Sequence, residues 1–105
     1  MFASIARLAF AHSRVQNVII PPNVKEIQPF AFYECSSLRR VVFEGKSQIQ
    51  TFGEACFWGA SIEEMCVPAG VTTINARAFY GCDALRNVIF QDESRLETIG
   101  EYCFQ

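Results

Sequence analysis

The sequence predicts a solenoid of the α/β class, with parallel β-strands stacked one per coil and short helical turns on the other side. Three observations predict it. The stretch Ile27 to Phe43, IQPFAFYECSSLRRVVF, returns 47 positions later as Ile74 to Phe90, INARAFYGCDALRNVIF. A variant lies between them, Phe52 to Val67, FGEACFWGASIEEMCV, in which Phe57 answers to Phe32 and Ile62 to Leu38. The period is thus a pair of units, 23 residues (Val18 to Arg40) and 24 residues (Val41 to Glu64). Self-similarity at ~20 to 50 residues marks a repeat array in which each unit buries its apolar face only against its neighbours.

Each element follows from the repeat. Strands are expected at Val15 to Ile20, Leu38 to Phe43, Ile62 to Val67 and Leu85 to Phe90. Their last two apolar positions, such as Val41 and Phe43, sit two apart, as a strand with one buried face requires. Proline ends two of the strands, at Pro21 and Pro68, because it cannot donate to a ladder. The other two run into longer polar loops, Glu44 to Gln48 and Gln91 to Arg95, so alternate coils are expected to bulge along one edge. Two interior columns follow: Val24, Ile49, Val71 and Leu96, then Ile5, Ile27, Phe52, Ile74 and Ile99. A third is phenylalanine in every coil, Phe10, Phe32, Phe57, Phe79 and Phe104, and stacked rings there bury a large area. The residue before each ring is small, Ala9, Ala31, Cys56, Ala78 and Cys103, which suits a helical turn pressed against its neighbour. Gly59 and Gly81 suit left-handed turn positions.

With 105 residues, half of them hydrophobic, the chain has the size of one domain with ample material for a core. Residues 1–105 are therefore read as a single array of about four coils. The formal charge of −2 offers no electrostatic case for nucleic acid or an anionic membrane. No apolar run reaches the ~18 to 20 residues of a membrane span. The opening MFASIARLAFAHS has the short apolar core of a secretion signal, but Arg7 interrupts it and no basic segment precedes it. The repeat register instead places Phe2, Ile5, Phe10, Val15 and Val18 on interior positions. Neither end carries the polar cap usual in solenoids, which leads us to expect a fragment of a longer array with apolar coil faces exposed.

Pro21, Val24, Ile27, Ala31, Phe32, Tyr33, Cys35 and Leu38 resemble the BspA-like leucine-rich repeats. Pro68, Val71, Ile74, Ala78, Phe79, Tyr80, Gly81, Cys82 and Leu85 carry the same resemblance. These are surface proteins of oral bacteria and some parasitic protists. The 24-residue units depart from the pattern, with Ala60 in place of the cysteine and one residue fewer before Ile62. The resemblance implies a leucine-rich-repeat right-handed solenoid and adhesion or matrix-protein binding at a cell surface. It supplies no catalytic residue, and neither enzyme activity nor a cofactor is expected.

Four of the five cysteines read as buried thiols rather than disulfides, and Cys66, at an outward strand position, reads as a candidate exposed reactive thiol. Cys35 and Cys82 share one column two coils apart, as do Cys56 and Cys103, a separation of ~9 to 10 Å that a disulfide does not span. No Cys-x-x-Cys is present to suggest zinc. The only histidine, His12, has no acid or nucleophile placed beside it by the register, and Glu44, Asp92 and Glu93 read as solvated loop charges. The outward strand positions are more informative. Ile19, Val42, Cys66 and Ile89 form an apolar stripe where solvent ordinarily demands polar groups, and Asn17, Arg40, Glu64 and Asn87 run beside it. Ile19, Arg40, Val42, Glu64, Cys66 and Ile89 are the candidate partner-binding residues. The stripe also has a purely structural explanation, since β-branched residues favour strands. Neighbouring strands of opposite charge are expected to pair. Tyr33, Trp58 and Tyr80 form a further aromatic column, which fits an aromatic contact surface or, with more weight, partly covered packing. Two functions fit: a surface adhesion or recognition module binding a host or matrix protein, or an intracellular scaffold holding protein partners together. Only the resemblance favours the surface.

Overall fold

The computed structural model describes residues 3–104. Nine short strands appear in chain order: β1 (Ala3–Ile5), β2 (Asn17–Ile20), β3 (Val24–Ile27), β4 (Arg40–Phe43), β5 (Thr51–Phe52), β6 (Glu64–Val67), β7 (Thr73–Ile74), β8 (Asn87–Phe90) and β9 (Thr98–Ile99). All pair in parallel, and each pairing joins one coil to the next. The four expected strands are present as β2, β4, β6 and β8, each confined to the last four residues of the expected run. The stack is a parallel-strand solenoid of about four turns. The opening segment belongs to it, because Ile5 pairs with Ile27 in β3.

A second sheet, β1-β3-β5-β7-β9, runs through every coil. The interior columns at Ile27, Phe52 and Ile74 belong to its strands and are fully buried. The phenylalanine file stands as the register requires. Phe10, Phe32, Phe57, Phe79 and Phe104 stack in order with ring centroids 5.2 to 5.5 Å apart and planes within 15° of parallel. Phe32, Phe57 and Phe79 are sealed from solvent, whereas Phe10 and Phe104 in the first and last coils are 42% and 47% exposed.

The short helical turns are absent: no helix occurs among the described residues. In their place each coil makes consecutive tight turns. The N–H groups of Ala31, Tyr33 and Cys35 donate back three residues, to Gln28, Phe30 and Phe32. Those between them, Phe30, Phe32 and Glu34, donate to Glu54, Cys56 and Trp58 of the next coil. An α-helix would keep all of these bonds to itself. Left-handed residues recur every fourth position, at Phe30 (φ 61°) and Glu34 (φ 53°), and again at Ala55 and Gly59 and at Arg77 and Gly81. Each occupies the third place of a turn, as type II geometry requires, and Pro29 stands at the second place that this turn favours. The fold is therefore built from strands and turns alone, and the α component of the expected class is corrected.

Candidate functional site on the strand face

The strand face carries β2, β4, β6 and β8, and it is not one sheet. Ladders join β2 to β4 and β6 to β8, but none joins β4 to β6. The cause lies one residue past the strands. Glu44 N–H donates to the Ile20 carbonyl (3.0 Å) and Gln91 N–H to the Val67 carbonyl (3.2 Å), closing the ends of the two intact ladders. At the β4/β6 junction the corresponding residue is Pro68, which has no N–H to offer the Phe43 carbonyl. The strand starts are held, since Ser61 N–H reaches the Leu38 carbonyl at 2.9 Å, and the gap opens beyond that bond.

A second difference lies behind the face. Gly53 approaches the preceding coil so closely that a Cβ there would lie 2.5 Å from Pro29 N and 2.6 Å from the Ile27 carbonyl oxygen. Gly100 meets Ala76 in the same way at the β6/β8 junction. Behind the open junction the equivalent residue is Asn75, whose side-chain amide donates to the Phe52 carbonyl at 3.0 Å. Cys82 adds a thiol bond across the same junction, to the Phe57 carbonyl at 3.0 Å. Behind the face both kinds of junction are held by main-chain bonds, and at the open one Asn75 and Cys82 add side-chain bonds where the closed ones have a glycine in van der Waals contact.

Where β4 and β6 part, a cavity of about 490 Å³ opens, with Arg39, Arg40, Val42, Glu63, Glu64 and Cys66 on its walls. Of the six candidate residues, Arg40, Val42, Glu64 and Cys66 meet here. Ile19 and Ile89 stand outside it on the flanking strands, 64% and 45% exposed. The apolar stripe is solvent-facing throughout, Val42 being 40% exposed and Cys66 exposed as well. The expected pairing of opposite charges on laddered strands takes a different form. Arg40 is in register with Asn17 and Glu64 with Asn87, so at that position the opposite charges face each other across the cleft, whereas one residue earlier Glu63 lies beside Arg86 on the intact β6/β8 junction.

The thiols divide by environment. All five cysteines are free. Burial pushes the Cys56 thiol well above its ordinary range and Cys82 up to about 11. Burial raises Cys35 and Cys103 as well. Cys35 and Cys82 do more than fill space, because each donates to a carbonyl of the coil before it, Cys35 to Phe10 at 2.8 Å. Tyr33, Trp58 and Tyr80 form a half-buried file along the turn edge, with Trp58 on Tyr80 at 4.4 Å. A second cavity of about 210 Å³ lies beside Trp58, Tyr80 and Tyr102, where the Arg77 guanidinium already covers the Tyr102 ring at 5.1 Å. Among the described residues no cluster of three His, Cys, Asp or Glu is placed to hold a metal, and no helix is long and apolar enough to cross a membrane.

The repeat seen in the coils matches a family profile, the BspA type leucine-rich repeat region, in six copies over residues 3–105. The chain belongs to that family. Two solved structures share the fold. One, titled as the crystal structure of pneumococcal vaccine antigen PcpA, has a TM-score of 0.84 and 20% identity over 98% of this chain and 33% of that one. The other, a leucine-rich cell surface protein from Faecalibacterium prausnitzii, has a TM-score of 0.58 and 20% identity over 97% of this chain and 41% of that one. This BspA-type chain thus spans about a third to two fifths of the length of both. Comparison with curated proteins gives no significant match.

Proposed function

We propose that this BspA-type array is a non-enzymatic scaffold that binds a protein partner through its strand face, displayed at a cell surface. The observation that carries the reading is the solvent-facing apolar stripe Ile19, Val42, Cys66 and Ile89, flanked by Arg40 and Glu64. Exposed apolar side chains in one contiguous line favour association, and repeat scaffolds commonly bind on such surfaces. Two fold neighbours described as a vaccine antigen and a cell surface protein support the location. Residues outside the stripe offer little chemistry: His12 is exposed and its ring stands perpendicular to that of Tyr33.

The test is binding of the purified chain to a panel of extracellular-matrix proteins by biolayer interferometry. The wild type is expected to bind at least one member, and Val42→Lys with Ile89→Lys to lose that binding while remaining folded. Undiminished binding by the double variant discards the strand face as the site. Five free thiols favour a second reading, an intracellular scaffold, because reducing compartments keep cysteines unpaired. Antibody staining of intact against permeabilised cells separates the two.

A further inference from the structure

The cleft between β4 and β6 has features that the flanking strands lack, and they define an occupant. In a parallel ladder, alternate residues turn their N–H and C=O groups to opposite neighbours. Arg40 and Glu44 donate to β2 and its flank, so Val41 and Phe43 turn theirs toward β6. Glu63 and Val67 accept from Asn87 and Gln91, so Glu64 and Cys66 turn theirs toward β4. Two strand edges therefore face one another without a ladder, each offering main-chain groups at every second residue. That spacing, ~6.6 to 6.8 Å, is the repeat of an extended polypeptide. The volume of about 490 Å³ lies within the ~300 to 1,000 Å³ of ligand-binding clefts. At the strand starts one lip is basic, Arg39 and Arg40, and the other acidic, Glu63 and Glu64. Toward the strand ends the walls become apolar at Val42 and Cys66.

We infer that this cleft takes up an extended segment of a protein partner in which an acidic and a basic side chain are neighbours and an apolar side chain lies close by. The acid meets the arginine lip, the base meets the glutamate lip, and the apolar group settles over Val42 and Cys66. The charged and apolar side chains of the two lips hold the segment over the mouth of the cleft. This rests on the strand-face reading above and names the chemistry recognised there.

An immobilised array of hexapeptides, with Asp, Lys and Ile placed in every arrangement on a threonine background, is probed with the labelled chain. Spots with adjacent Asp and Lys, and Ile within two residues, are expected to bind most strongly. Arg40→Gln with Glu64→Gln is expected to weaken them at least tenfold. Val42→Cys provides an independent closure, since it stands across the cleft from the native Cys66. Oxidation should join the two and abolish peptide binding, and dithiothreitol should restore it, with mass spectrometry reporting whether the bond forms. Binding that ignores the charges, or no binding to any spot, overturns the inference. Peptide binding that survives both changes but falls in Ile19→Lys with Ile89→Lys also overturns it, while leaving the strand face as the binding surface.

Discussion

The β2/β4 and β4/β6 junctions share β4, yet one is a closed ladder and the other a cleft. At the closed junction Glu44 supplies a main-chain donor and Gly53 lets the coils approach backbone to backbone. At the open one Pro68 withholds the donor, and Asn75 and Cys82 reach across with side chains. The difference is confined to the strand face, because the second sheet and the turn bonds cross both junctions through main chain. The 47-residue period is thus a pair of coils laddered on the strand face, followed by a junction at which that ladder lapses.

The comparison can be broken most severely at what both junctions share. Phe57 stacks on Phe32 and Phe79 across a closed and an open junction, at 5.4 and 5.5 Å. Phe57→Ala should cost about 3 to 5 kcal/mol by urea denaturation. The thiol bridge of the open junction gives a pH signature. Burial holds Cys82 protonated up to about 11 against an ordinary 9.0. The unfolded chain releases its proton first, so the stability is intact below pH 9.0 and lost as pH rises to about 11. That loss amounts to about 2 to 3 kcal/mol, and Cys82→Ser should make the alkaline fall of denaturation midpoint shallower by that share, with Cys56, Cys35 and Cys103 supplying the rest.

Smaller effects sharpen the contrast. Gly53→Ala drives a Cβ into the Gln28–Pro29 backbone and should cost about 1 to 3 kcal/mol. Asn75→Ala, at the equivalent place behind the open junction, loses one amide bond and should cost only about 1 kcal/mol in the same titration. Pro68→Ala should cost about 1 kcal/mol, because one added hydrogen bond, about 0.5 to 1.5 kcal/mol, is outweighed by the freer unfolded chain together with the loss of buried ring methylenes. Its signature is hydrogen exchange: the new amide at position 68 should be protected, and a fully exchanging amide there removes proline as the cause of the gap.

Much of this was legible in the text of the chain, because a repeat converts sequence spacing into spatial neighbours. The phenylalanine file, the strand positions and the outward stripe all follow from register alone. The turns were harder. Only Gly59 and Gly81 announced left-handed geometry, while Leu8, Phe30, Ala55, Arg77 and Tyr102 adopt it without a glycine to mark them. The second sheet leaves no mark in the sequence because β5, β7 and β9 are two residues long, too short to show alternation. Cys35 and Cys82 read as small apolar fillers, and their role as donors rests on a carbonyl in another coil. The candidate residues were identified by their outward positions. The cleft that gathers four of them depends on a missing N–H at Pro68, whose effect falls on the neighbouring strand rather than on its own.

The missing donor at Pro68 acquires a larger meaning when the 47-residue block is repeated. Every such block brings one more gap along the same side. A fibrous ligand carrying many weak copies of its motif would then engage several gaps at once, and avidity of this kind exceeds single-site affinity by ~10² to 10⁴. Grip would be adjusted by the number of blocks, with no change to any individual contact.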